Sequence, residues 1–302
     1  MSDYLNAISG TAQGHSLALM LALSAAVLHA LFGALQKGRH DPWTSRAAID
    51  ASYGLMAAPV ALFIVPWPEP HMWPIFAGVV VIHIGYKLAQ AASYTRGAYT
   101  VVYPVVRGMG PLFTVIGAGV IFGEHFTAGQ WLGVALLVAG IWGLALYNLR
   151  TITEDRARLG AALGFAVLTG AFVAAYTTFD AYGIRASADP FTFLAWFFFL
   201  DGWFMPIYTL RRLRHIPSSE FVPLIKRGFL GAIVAYFSFG AIMLATRIDR
   251  VGEAAVLRET STVFAALIGW AVLGEKVGPR RSALMALIAL GAIVVVKFAG
   301  NR

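Results

Sequence analysis

The chain of 302 residues has no cysteine, and only 13% of its residues are Asp, Glu, Lys or Arg. Without cysteine there is no disulfide framework, no thiol nucleophile and no cysteine-based zinc site. Soluble domains carry about 25% charged residues, so this chain has too thin a polar shell to cover its 59% hydrophobic content in water. Low-complexity tracts and basic stretches interleaved with aromatics are missing too, which excludes a disordered chain and a nucleic-acid partner. No His-Glu-x-x-His, Gly-x-Ser-x-Gly or ATP-binding motif occurs, so neither a membrane-embedded hydrolase nor an ATP-driven pump is indicated. No cofactor and no metal site is expected, and the chain reads as a non-enzyme. The first fifteen residues hold no Lys or Arg. They are not the basic start of a cleavable signal, so the first apolar run is expected to be retained.

What the chain has is apolar length, with a mean hydropathy of +0.71. A bilayer core of about 30 Å takes about 20 apolar residues per helix. Between charged or proline-rich breaks the runs fall at 16–36, 47–65, 73–94, 98–122, 128–149, 159–182, 191–210, 221–246, 251–273 and 282–298. This predicts an all-α integral membrane protein of ten transmembrane helices whose connections are too short for a soluble domain. The formal net charge of +8 fits basic residues gathered in cytoplasmic loops. Of the 23 Lys and Arg, fifteen follow odd-numbered spans, five lie on the other side, and Lys87, Arg107 and Arg258 fall inside spans. Both termini are therefore expected to face away from the cytoplasm.

Sliding the sequence by 151 residues, half its length, pairs Gly123-Glu124 with Gly274-Glu275, Arg107 with Arg258, Phe113 with Phe264, Leu136 with Leu287, Gly140 with Gly291, and Thr95-Arg96 with Thr246-Arg247. Asp41-Pro42-Trp43-Thr44 matches Asp189-Pro190-Phe191-Thr192 at an offset of 148. Charged residues are too scarce for such coincidences to come from composition. Five spans per half is an odd number, so the second half enters the membrane upside down. The expected fold is two inverted five-helix repeats, 1–150 and 151–302, an architecture that places solute sites near the bilayer midplane between the repeats.

The two five-span halves, the stretch Val101-Val102-Tyr103-Pro104-Val105-Val106-Arg107-Gly108-Met109-Gly110-Pro111 and the paired Gly-Glu turns resemble the EamA family of the drug/metabolite transporter superfamily, most strongly over 95–143 and 246–291. The resemblance implies solute transport, with export of amino acids and other metabolites the typical role; it leaves the solute open. The second half has Glu259-Thr260-Ser261-Thr262 where the first has Gly108-Met109-Gly110-Pro111, so a site between them is chemically asymmetric.

Ionisable groups inside a membrane cost free energy, so each is a functional candidate. Arg107 lies about nine residues into the fourth run and Arg258 about seven into the ninth, roughly 10 Å or more along each helix. From opposite faces the two guanidinium groups approach the midplane, where their rigid forks suit a carboxylate or phosphate. His83, Tyr86, Lys87, Gln90 and Tyr94 share one face of the third run and form a polar stripe that must meet the bundle or water. With Tyr103 and Trp203 these residues make up the expected substrate-binding set. Glu259, Asp201 and His29 are candidates for a coupling proton; burial and neighbouring arginines push a carboxyl in opposite directions. Pro104, Gly108, Gly110 and Pro111 mark the fourth run as a kinked, moving element. The glycines at 117, 119, 129 and 133 read as small-residue helix packing.

The sequence thus predicts a secondary transporter in a bacterial cytoplasmic (inner) membrane, working by alternating access on an anionic or zwitterionic solute, with protons as coupling ion. Uptake of a small organic anion and a passive facilitator are the alternatives. The partners expected are the solute, the lipid bilayer and protons. A homodimer stays open, since ten spans complete a path in one chain.

Overall fold

A computed structural model describes residues 2–36, 40–97, 99–150, 156–273 and 278–299, and all the regular structure among them is helical. The helices are α1 (Ser2–Ile8), α2 (Ala12–Gln36), α3 (Pro42–Phe63), α4 (Met72–Arg96), α5 (Tyr99–Phe122), α6 (Ala128–Arg150), α7 (Arg156–Ala186), α8 (Pro190–Asp201), α9 (Phe204–Tyr208), α10 (Leu210–Leu213), α11 (Ser218–Ile248), α12 (Val251–Arg258), α13 (Ser261–Leu273) and α14 (Pro279–Lys297). Among the described residues, eight segments are long and apolar enough to cross a membrane: those of α2, α4, α5, α6, α7, α8 with α9, α11 and α14. The chain is an integral, multi-pass membrane protein.

Two of the ten expected runs take another form. The second lies in α3, which has the length, 22 residues, but carries Arg46 and Asp50. The ninth is cut at Glu259-Thr260 into α12 of 8 residues and α13 of 13. No proline makes that cut. The amides of Glu259, Thr260, Thr262 and Val263 each bond three residues back, so the helix tightens into a 3₁₀-like turn and restarts. By contrast α5, in which the kink was expected, is helical without interruption through Pro104, Gly108, Gly110 and Pro111. The break sits in its repeat mate.

The chain corners gather on two faces. On one, the Gly10 amide donates to Ile248 O (3.2 Å), Arg247 donates to Ser187 O (2.9 Å) and Asn6 Oδ1 (3.0 Å), and Thr127 Oγ1 donates to Phe298 O (3.2 Å). Both described ends of the chain are there, and we call it the terminal face. On the other, Trp43 Nε1 donates to Thr95 Oγ1 (3.1 Å), Arg212 pairs with Asp41 (3.3 Å), and Arg227 Nε donates to Leu35 O (2.7 Å). Large apolar side chains point outward between the faces; Phe63 is 84% exposed and Val120 81%. In a membrane these meet lipid.

The repeated Asp-Pro motif is a helix start in both halves. Asp41 caps α3 by accepting from the Thr44 amide, and Asp189 caps α8 by accepting from the Phe191 and Thr192 amides, with proline at the first helical position each time. Partial burial alone would raise the Asp189 carboxyl. Hydrogen bonds from the Ser2 and Thr192 hydroxyls and from those amides outweigh it and hold the group below the usual carboxylate range. Asp189→Ala should cost about 1 kcal/mol. A carboxylate stabilised in the fold contributes above its unfolded pKa of about 3.9 and loses that contribution as pH falls through the lower folded value. The gap in melting temperature between wild type and Asp189→Ala should therefore be full at neutral pH and close in acid; a gap that does not change with pH rejects the cap.

Small residues fix the packing of α6 on α14, which are repeat mates. A Cβ added at Gly133 would lie 2.7 Å from Gly291 O, and one at Gly291 would lie 2.5 Å from Leu137 N. Both partners are backbone atoms that cannot yield, so the glycines are what let the helices touch. Gly291→Val is expected to lower stability by about 1–3 kcal/mol, read as a drop in melting temperature in detergent. An unchanged melting temperature would mean that α6 and α14 separate freely.

Candidate functional site

The polar stripe of α4 faces inward: His83, Tyr86, Lys87 and Gln90 are buried, and Tyr94 is half-buried. Opposite them α3 presents Arg46, Asp50 and Tyr53, one helical turn apart and all buried. Lys87 Nζ is fully enclosed, 2.7 Å from Asp50 Oδ2, 2.8 Å from Asp201 Oδ1 and 3.0 Å from Tyr53 OH. It also donates to Asp201 O (2.7 Å), a carbonyl left free because α8 ends there. Tyr53 OH donates to Asp201 Oδ2 (2.5 Å), and Arg46 Nε donates to Asp50 Oδ1 (2.7 Å). The close approach of Gly54 to Gly202, where an added Cβ would lie 2.6 Å from the neighbouring Cα, brings α3 against that helix end. His83 extends the network: Nε2 is 3.0 Å from Asp180 Oδ2 and Nδ1 is 3.8 Å from Asp201 Oδ1.

A second cluster forms where α5 meets the break between α12 and α13. Arg107 Nη1 is 3.1 Å from Glu259 Oε1, Arg258 Nη2 is 3.5 Å from the same oxygen, and Arg258 also donates to Thr177 Oγ1 on α7 (3.1 Å). Tyr103 lies under the Arg107 guanidinium, 5.4 Å from ring centre to Cζ. Gly110 lies beside Glu259, where an added Cβ would stand in ordinary contact, 3.7 Å from Oε1. Four acids and four fixed cations are thus buried between the helices, at a cost that only close pairing offsets.

Both clusters reach one small cavity of about 10 Å³, enough for a single water. Its wall includes Tyr176, Thr177 and Asp180 of α7, Phe239 and Met243 of α11, and Arg258. Tyr176 OH, Asp180 Oδ1 and Arg258 Nε are buried there without a hydrogen-bond partner. The terminal face is fastened above it. Glu124 accepts from the amides of Val251 (2.7 Å) and Gly252 (3.0 Å), so the Gly-Glu turn of the first half caps α12 of the second. Beside it His15 meets Asp249, with Glu253 4.0 Å away. These three bring donor atoms within 4.8 Å of one another, as a metal site needs. Arg250 pairs with the other oxygen of that carboxylate, Glu253 Oε1, at 3.3 Å.

Of the residues singled out from the sequence, His83, Tyr86, Lys87, Gln90, Asp201, Tyr103, Arg107, Arg258 and Glu259 fall in or beside the two clusters. His29 is buried between Phe32 and Phe239, 5.9 Å from each ring, and Phe239 is part of the cavity wall. Trp203 is half-buried against Phe199 and Gly54, between α8 and α9. Arg46, placed with the loop residues by the sequence reading, is a buried member of α3; Asp50, Tyr53, Tyr176, Thr177 and Asp180 were not in the predicted set. The spacing 46, 50, 53 repeats the stripe logic of α4 and was the signal for the first of them.

Helices that cross a membrane around a buried, paired layer of charge define a polytopic membrane protein with a polar core. The chain belongs to the EamA-like transporter family, whose model matches residues 16–146 and again 160–297. Over 77 residues it is 36% identical to the uncharacterized protein y4nH of Sinorhizobium fredii, a stretch covering 26% of this chain and 66% of that one, just under two thirds of its length. A solved crystal structure superposes on 92% of this chain and 98% of its own with a TM-score of 0.73 at 17% identity, a likeness of fold.

Proposed function

We propose that the protein is a secondary transporter that exports a small amino-acid-like, or otherwise anionic or zwitterionic, metabolite across a bacterial cytoplasmic membrane by alternating access. The observation that carries this reading is the ion pair of Arg107 on α5 with Glu259 at the break of α12 and α13. A charged contact between repeat mates, at a discontinuous helix, is what a solute site between two repeats requires. The corners alternate between the two faces along the chain, which supports ten passes, with α3 and α12–α13 as the two polar ones. Five passes per half turn the second repeat over. The face opposite the chain ends holds most Lys and Arg and is assigned to the cytoplasm.

Without an ATP-binding motif, the driving force is an ion gradient, and protons fit a core rich in His and carboxyl groups. The fastening at Glu124, His15 and Asp249 closes the terminal face in this conformation, and the cavity must enlarge before a solute enters. The test is uptake and efflux of labelled amino acids, organic anions and cationic dyes in proteoliposomes, with and without a pH gradient. Saturable flux of an amino acid or anion, accelerated by the gradient, is the expected result. Flux that never saturates indicates a channel, and flux indifferent to the gradient rejects proton coupling. A reporter fused after Arg302 should be non-cytoplasmic.

A further inference from the structure

The α3, α4, α7 and α8 cluster is out of balance by one charge. Asp50, Asp180 and Asp201 face two fixed cations, Arg46 and Lys87. The cluster at the helix break is out of balance the other way, with Arg107 and Arg258 facing Glu259. His83 is the titratable group between the acids: Asp180 at 3.0 Å on one nitrogen and Asp201 at 3.8 Å on the other. From its own helix Tyr86 and Lys87 face it, from α3 Asp50 and Tyr53 through Lys87, from α7 Tyr176 and Asp180, from α8 Phe197 and Asp201, and from α12 Arg258 across the Tyr176 ring. Asp180 turns one oxygen to His83 and the other, buried and unpartnered, belongs to the wall of the cavity that Arg258 also lines.

We propose that Asp180 is a site shared between the proton on His83 and an ammonium group of the solute, so that one excludes the other. With the cavity empty, His83 carries a proton and supplies the missing positive charge. When a solute places its ammonium on Asp180 Oδ1, that charge replaces it: the N–H bond of the imidazolium breaks, its electron pair stays on the ring nitrogen, and the proton leaves to water. One proton goes out for each ammonium bound. Binding and proton release on one face, and the reverse on the other, give one-for-one exchange. A solute without an amine gets no proton coupling here. This inference rests on the transport reading above and adds to it the coupling residue and the charged group that the solute must carry.

The test uses purified protein in detergent, given a mixture of the twenty L-amino acids or a matched mixture of their deamino carboxylates. At a pH where the free site holds its proton, the wild type is expected to release one proton per amino acid bound, with apparent affinity rising about tenfold per pH unit there and levelling off at higher pH. The carboxylates should release none. In His83→Gln the proton release and the pH slope should vanish; in Asp180→Asn amino-acid binding should weaken at least tenfold more than carboxylate binding. Melting curves establish that each variant is folded, and either variant alone decides. The proposal is overturned if the wild type releases no proton, if carboxylates release as many, or if His83→Gln keeps the slope. Absence of any flux in wild-type proteoliposomes, by contrast, counts against the transport reading.

Discussion

Lys87→Met is expected to abolish solute flux and to destabilise the protein by about 3–5 kcal/mol. Lys87 is fully buried and neutralises Asp50 and Asp201 at once while holding the free carbonyl at the end of α8. Removing its charge leaves two carboxylates facing each other in a medium that does not solvate them. The double variant Lys87→Met with Asp201→Asn removes one charge of each sign and should regain much of the lost stability without regaining flux. Thermal unfolding of both variants, beside flux in proteoliposomes, separates the two roles. Wild-type flux in a folded Lys87→Met would mean that the layer is scaffolding and that solute passes elsewhere.

Glu259→Gln is expected to make the protein bind an organic anion more tightly and yet move it at least tenfold more slowly. Arg107 and Arg258 are both within ion-pair distance of the same Glu259 oxygen. A carboxylate of the solute reaches the arginines only by displacing that acid, and leaves when Glu259 returns. With Gln in its place the competitor is gone and the bound anion is retained, so affinity and turnover part company. Equilibrium binding of the deamino carboxylates compared with their flux measures the split. If both fall together with the melting temperature, Glu259 holds the fold and nothing more.

Much of this was legible in the chain because membrane helices have so few ways to use a charge. The α4 stripe could be read from spacing alone, and Arg107 and Arg258 from their depth and their repeat register. Arg46 was harder: it sits near a helix start, where a linear reading assigns charge to a loop, and Asp50, inside the second run but near its end, gave no sign of its partners; the packing of α3 on α4 and α8 shows both buried. The break at Glu259-Thr260 left no local mark, since neither Pro nor Gly is there. Two prolines in α5 suggested a kinked element, and the helix runs through both without a break in its assignment; a proline removes one bond, and a neighbouring helix can absorb the loss. The break coincides with the residue that pairs with Arg107 on α5, a contact no local reading of the sequence contains.

The carboxylate of Glu124 holds the first two amides of α12 from across the repeat boundary. Those amides have no partner within their own helix, so their protection from solvent depends on a residue of the other half. Deuterium exchange at Val251 and Gly252 is for this reason a clock for the terminal face. It runs slowly while the two halves are clasped there and quickens each time they part, and it would report the opening of the protein in a membrane whether or not its solute is known.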